Sequence, residues 1–239
     1  MFDLRQRIRL FKLARVIRFI LFNVFPACVY RVGPPISESE FKDIGEPPSP
    51  KLQASVQKLA KMRKGEGPVW GGRIRYVERD GMRYVKKQFV GWLAAYEFFT
   101  EVKCLEELRG LSCAPSLIAA DSAKRTIVVS VARGVRLDLI DYSSFADLSQ
   151  YFSDIESACL GALNRIHSKG VYVNDINSTN LFVYQKEITF IDFGCSYFKG
   201  SISDFMFSDL KLRDKENMRI VLANERSKAK QQVAKRSHS

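Results

Sequence analysis

Apolar and polar residues alternate along Arg73–Glu78 and again along Met82–Phe89, with Arg79-Asp80-Gly81 between them. Alternation marks half-buried strands, and an Asp-Gly step supplies the positive φ that a tight hairpin needs. The period then changes. Phe98, Val102, Leu105 and Leu108 recur at spacings of three and four, which predicts a helix over Ala94–Leu111 that stops near Gly110. Leu117–Ala120 and Thr126–Val131 read as two further strands. Ser144–Phe152 and Ser153–Ser168 read as two helices, with Ser144 capping the first. In the second, Ile155, Cys159, Ala162, Leu163 and Ile166 form an apolar stripe that belongs to a core. The order strand, strand, helix, strand, strand, then helices, predicts an α+β protein.

The stretch from Gly170 to Gly194 carries the densest chemistry. Two short apolar runs, Leu181–Tyr184 and Ile188–Ile191, flank a polar turn at Gln185–Glu187 and predict a β-hairpin. Asp175 and Asn180 lie before its first strand and Asp192 just after its second. A hairpin brings its ends together, so two carboxylates and a carboxamide converge. Such a set of hard oxygen donors is what a magnesium-phosphate site requires.

The ends of the chain are different in character. In residues 1–30, Arg5, Arg9, Lys12 and Arg15 fall on one side of a helix, and Leu10, Leu13, Ala14, Ile17, Ile20 and Leu21 on the other. The charge-free window Phe19–Tyr30 holds twelve residues and includes Pro26. That is short of the roughly 20 apolar residues a bilayer span needs, so a basic amphipathic helix lying in the membrane interface fits better. A signal peptide and a helix packed on the protein's own surface are the rival readings. Residues 31–68 read as linker or irregular chain, rich in Pro, Ser and acid to residue 50, with a short basic helix over 51–63. Residues 201–222 predict one or two more helices. Glu225–Ser239 is basic, shows no apolar period and reads as a disordered tail.

Composition narrows the classes. The chain of 239 residues is 46% hydrophobic, enough to bury a core. Its net charge of +12 favours an acidic partner: nucleic acid, an anionic membrane or a phosphorylated substrate. No helix-turn-helix, zinc or RNA-binding motif supports specific nucleic-acid binding. Five cysteines, scattered and without a Cys-x-x-Cys pair, argue against a disulfide framework or a zinc site and for a reducing compartment. With only His167 and His238 present, the second in the tail, a Ser-His-Asp hydrolase is close to excluded.

From about Val69 to Gly194 the order of elements and the motif Asp175-Ile176-Asn177-Ser178-Thr179-Asn180, then Asp192-Phe193-Gly194, resemble the protein-kinase-like superfamily. That family's loop reads H-R-D-L-x-x-x-N before D-F-G. The resemblance implies a bilobal fold: a small N-lobe sheet with one helix over 69–132 and a truncated helical C-lobe over 133–224, with 1–30, 31–68 and 225–239 outside. It implies that Asp175 accepts or orients the proton of the attacking hydroxyl, and that Asn180 and Asp192 hold Mg2+ against ATP. A strand lysine paired with a helix glutamate should bind the α- and β-phosphates. Alternation allows only one of Lys86 and Lys87 to serve, and Lys86 is the expected one. Glu101 is its expected partner, with Glu97 as the fallback. Gly71 and Gly72 stand where a phosphate loop would lie, and Val131 lies in the stretch that would form an adenine-binding hinge.

The departures shape the expected function. No G-x-G-x-x-G is present, Val173 and Asn174 replace the His-Arg of the family loop, and Asn177 replaces its lysine. Only 45 residues follow Gly194, with no A-P-E motif. This looks more like the small atypical branch: bacterial lipopolysaccharide core (heptose or Kdo) kinases, RIO-type kinases and the small kinase of the tRNA-threonylcarbamoyl machinery. The leading expectation is an ATP- and magnesium-dependent kinase acting on a sugar hydroxyl of lipopolysaccharide or another acidic glycolipid. It would be cytoplasmic and peripheral at the inner face of the membrane, with residues 1–30 touching lipid. The alternatives are a small serine/threonine protein kinase with a protein substrate, and a pseudokinase or binding module.

Overall fold

A computed structural model describes residues 40–45, 72–91, 93–199 and 204–236. The expected amphipathic helix of residues 1–30, the basic helix of 51–63 and Gly71 lie outside the described residues. The protein is mixed α+β, with a multi-stranded antiparallel sheet and, among the described residues, three α-helices. Two compact units divide the chain. The first is drawn from Met1–Val102 and Ile118–Val129, the second from Lys103–Leu117 and Ser130–Ser239. No helix among the described residues is long and apolar enough to cross a membrane.

The first unit is built on β1 (Lys42–Gly45), β2 (Gly72–Arg79), β3 (Met82–Phe89), β4 (Leu117–Asp121) and β5 (Thr126–Ser130), in the sheet order β1-β2-β3-β5-β4. The β2–β3 hairpin pairs Arg79 with Met82 across a two-residue turn. Asp80 and Gly81 take φ of 55° and 72° there, the geometry that the Asp-Gly step favours. Strand β1 corrects the irregular reading of its segment: Lys42–Gly45 adds to the sheet edge, antiparallel to β2. One face of the sheet buries Val77, Tyr84, Ala119 and Val128, with Phe41 and Ile118 against them. Helix α1 (Ala94–Glu107) follows. It presents Ala94, Phe98, Glu101, Val102 and Leu105 as buried positions, so a carboxylate interrupts its apolar stripe.

The second unit carries the end of α1, the two-residue strand β6 (Val135–Arg136) and α2 (Leu148–Ser168). It continues with β7 (Val171–Tyr172), β8 (Leu181–Tyr184), β9 (Glu187–Phe190), β10 (Tyr197–Phe198) and α3 (Asp204–Arg236). Helix α2 is one unbroken helix where two were expected. Its cap is Asp147, whose carboxylate accepts from Gln150 N at 2.9 Å, and Tyr142–Ser144 is a separate 3-10 turn. Gly170, with φ 74°, ends α2, and a Cβ there would sit 2.8 Å from Cβ of Lys199. Lys199 N in turn donates to Gly170 O at 2.7 Å.

Helix α3 corrects the reading of the tail. It runs 33 residues through Glu225 to Arg236 as one helix. Leu210, Asp214, Met218, Leu222, Glu225 and Ala229 are buried at steps of four, four, four, three and four. Two of these six are carboxylates, which hides the period from a hydrophobicity count. The last turns close on the segment before α2. Tyr142, fully buried, donates its hydroxyl to Glu225 at 3.1 Å and its N–H to Gln232 at 2.9 Å. Lys228 donates to Asp138 O at 2.6 Å and Arg236 to Ser143 O at 2.8 Å. Burial first, and then the nearby Glu225 carboxylate, push the Tyr142 phenol well above its usual range.

Candidate functional site

The β8–β9 hairpin gathers the site in the second unit. Its register pairs Leu181 with Phe190 and Tyr184 with Glu187. The turn is therefore the two residues Gln185 and Lys186, with Gln185 at φ 55°, and the second strand starts one residue earlier than expected. At the open end, Ile191 N donates to Asn180 O at 2.9 Å, so Asp192 stands directly beyond the residue paired with Asn180. Asn180 ends the 3-10 turn Ser178–Asn180 and is buried. Its Nδ2 donates to the backbone carbonyl of Asp175 at 3.2 Å. A carbonyl can only accept, which places the amide nitrogen there and leaves Oδ1, 3.5 Å from the Thr179 hydroxyl, as the side chain's acceptor atom. The bonds to Asp175 O and from Ile191 N set the backbone of Asp175 and of Ile191, the neighbour of Asp192, beside Asn180.

Two of the loop residues have left-handed backbone. Asn174 has φ 60° and Asp192 φ 65°, neither in a hairpin turn. Asn and Asp tolerate this region better than other side chains, and strain of this kind gathers at functional sites. Asp175 N donates to Val173 O at 2.7 Å, closing a γ-turn over Asn174. The Asp175 carboxylate is on the surface, and its Oδ1 accepts from Asn177 Nδ2 at 3.3 Å. Asn177 in turn caps the 3-10 turn, accepting from Thr179 N at 3.0 Å and from the Thr179 hydroxyl.

Behind the loop lies a hub that the sequence reading missed. Asp214, at 1% exposure, accepts from His167 Nε2 at 2.8 Å, Val173 N at 2.9 Å and Asn174 N at 3.0 Å. Three donors satisfy a carboxylate that burial would otherwise make costly. His167 stacks on Tyr172 with ring centroids 5.2 Å apart. Ser196 Oγ donates to Val173 O at 3.0 Å, and Asn174 Nδ2 donates to Cys195 O at 3.0 Å. The segment after Asp192 and the segment before Asp175 are therefore laced together. A signal for Asp214 did exist: it sits four residues from both Leu210 and Met218, inside the buried stripe of α3.

In the first unit, the lysine expectation is corrected. Lys87, not Lys86, pairs with Glu101, Nζ to Oε2 at 2.6 Å, with side chains 13% and 6% exposed. Strand parity is the reason. Lys87 shares a face of β3 with Phe89, whose ring packs edge-on against Phe98 of α1 at 5.9 Å. Lys86 lies on the other face, opposite Arg75 of β2. There its charge joins that of Arg75 in lowering the Asp43 carboxyl, after the larger contribution of the Gly45 N–H. Glu101 is the glutamate of the pair; Glu97 lies one turn earlier on α1.

Two other expected residues are less informative. Gly72 opens β2, paired with Phe89, and Val131 follows β5 at 37% exposure in the second unit. No protein-family model matches the chain, and no curated protein matches it in sequence.

The donor chemistry fits a magnesium ion that shares its shell with phosphate and water. Among the described residues there is no group of three or more His, Cys, Asp or Glu that could hold a metal by itself. Asn180 and Asp192 instead offer an amide oxygen and a carboxylate. Magnesium is usually bound by one or two such ligands, with phosphates and waters completing the octahedron.

Proposed function

We propose that the protein is an ATP-dependent phosphotransferase of the protein-kinase-like type, with Asp175, Asn180 and Asp192 at its centre. The observation that carries this reading is the open end of one hairpin, where Asn180 Nδ2 donates to Asp175 O and Ile191 N donates to Asn180 O, so that Asp175, Asn180 and Asp192 are neighbours along the backbone. On this reading the fold is bilobal: the first unit is the small lobe, and the second is a helical lobe. The buried Lys87–Glu101 pair supports it, because a lysine held by a carboxylate is what the α- and β-phosphates require.

The residues divide the work by chemistry. Asp175 orients the acceptor hydroxyl and takes its proton. Its position at the surface, anchored by Asn177 and by the γ-turn, suits it to meet a second substrate. Asn180 and Asp192 would hold magnesium, which neutralises phosphate charge when bound. Lys87 would bind the inner phosphates, and the backbone near Val131 would take the adenine. The acceptor we favour is a sugar hydroxyl of an acidic glycolipid such as lipopolysaccharide, at the inner face of a membrane. The net charge of +12 and the basic amphipathic residues 1–30 support that choice.

The test is transfer from labelled ATP, with magnesium, to intact or delipidated glycolipid. Label is expected in the glycolipid. In the Asp175→Ala variant it should fall by about 10²–10⁴-fold, the usual worth of a positioned acid-base group. Label entering only protein would replace this acceptor by that of a small protein kinase. Nucleotide binding without transfer to any acceptor would leave a pseudokinase.

A further inference from the structure

Asn174 occupies the position that joins the two loops of the site, and none of the roles assigned above uses its side chain. Its backbone is left-handed, at φ 60°. Its N–H is held by Asp214 at 3.0 Å, and the next peptide N–H, that of Asp175, turns back to Val173 O at 2.7 Å. Its side chain donates from Nδ2 to Cys195 O at 3.0 Å, three residues beyond Asp192. The flip of this amide is settled by its partner, since a peptide carbonyl only accepts.

We infer that Asn174 is a positioning residue that locks the Asp175 loop to the Asp192 loop through a neutral hydrogen bond. This rests on the phosphotransferase reading. Few side chains could do both jobs. Glycine takes a positive φ at no cost but has no donor. Arginine has donors but disfavours the left-handed region and brings a charge. Asparagine is among the few residues that tolerate φ near 60° and also carry a short amide donor. The tie is reinforced from the other side, where Ser196 Oγ, at 1% exposure of its residue, donates to Val173 O at 3.0 Å. Two bonds of opposite direction therefore join residues 173–174 to 195–196. Neither bond contains a formal charge.

The experiment compares Asn174→Gly with the unaltered full-length chain. Glycine keeps the backbone and deletes the amide, so the thermal midpoint should hold to within a few degrees. In the transfer assay, kcat is expected to fall by about three- to tenfold, the range that loss of one neutral hydrogen bond implies. The magnesium concentration for half-maximal rate should rise alongside. Asn174→Asp, the same size but with an oxygen facing Cys195 O, should do worse than glycine. Amide hydrogen exchange over residues 192–198, measured without nucleotide, should speed up in both variants. A general structural defect would lower the active fraction without moving the magnesium requirement. Wild-type kcat, magnesium dependence and exchange in Asn174→Gly would overturn the inference. If the unaltered protein transfers no phosphate at all, the proposed function fails by itself. The exchange comparison then still decides the tie: faster exchange supports it, and unchanged exchange removes it.

Discussion

At the scale of single residues, the site spends conformational energy to aim its groups. Asn174 and Asp192 each hold a backbone that costs L-residues roughly 1–2 kcal/mol, less for Asn and Asp. The hydrogen bonds around Asn174 offset that cost on one side of the site. The Lys87–Glu101 pair is a different case, because both side chains are largely out of water. Removing one partner of such a pair leaves a buried charge, at a cost of about 3–5 kcal/mol. Lys87→Ala should therefore lower unfolding stability in urea by that order and abolish stabilisation by added ATP. Lys86→Ala, on the opposite face of β3, should change stability by about 1 kcal/mol or less and leave the ATP effect intact. The reverse pattern would return the phosphate-binding role to Lys86. Alternation says only that the two lysines point oppositely, and the face that meets α1 is set by the packing of Phe89 on Phe98.

At the scale of elements, α3 organises the second unit. Its N-terminal half carries Asp214, which holds the start of the Asp175 loop through two backbone N–H groups. Its C-terminal half holds Tyr142 through Glu225 and Gln232. Asp214→Ala would orphan three donors, two of them backbone amides. A loss of about 3–5 kcal/mol is expected in urea unfolding, with Asp214→Asn milder because it retains an acceptor oxygen. A chain shortened after Asn224 separates two views of the tail. A disordered tail could be removed without effect. Loss of Glu225, Lys228, Ala229, Gln232 and Arg236 should instead expose Tyr142, so the melting temperature falls and acrylamide quenches tyrosine fluorescence more strongly. An unchanged melting curve would contradict the packing of these turns. The apolar period of this helix was illegible for a physical reason. Two of its inward positions are carboxylates, and a carboxylate reads as surface until its donors are known.

At the scale of the whole molecule, charge is the property that sequence states most directly. The excess of 38 Lys and Arg over 26 Asp and Glu gives the +12. Each basic residue near an anionic bilayer contributes about 1 kcal/mol, an attraction that salt screens. The full chain is expected to sediment with vesicles containing anionic phospholipid at low salt and to be released as salt rises. Deletion of residues 1–30 should weaken that binding severalfold. Equal binding by the shortened chain would move the membrane contact elsewhere.

The sequence by itself determined the α+β class, the strands β2, β3, β4, β5, β8 and β9 to within a residue, and the hairpin that sets Asn180 beside Ile191. These depend on local period and on a hairpin, which joins residues close along the chain. Tertiary structure decided the parity of Lys87, the single run of α2, the addition of β1 to the sheet and the buried face of α3. It also decided the Asp214 hub, which joins residues 40 and 41 positions apart. Such choices turn on which face is covered and which buried polar group finds its partner, and neither is written in any one segment.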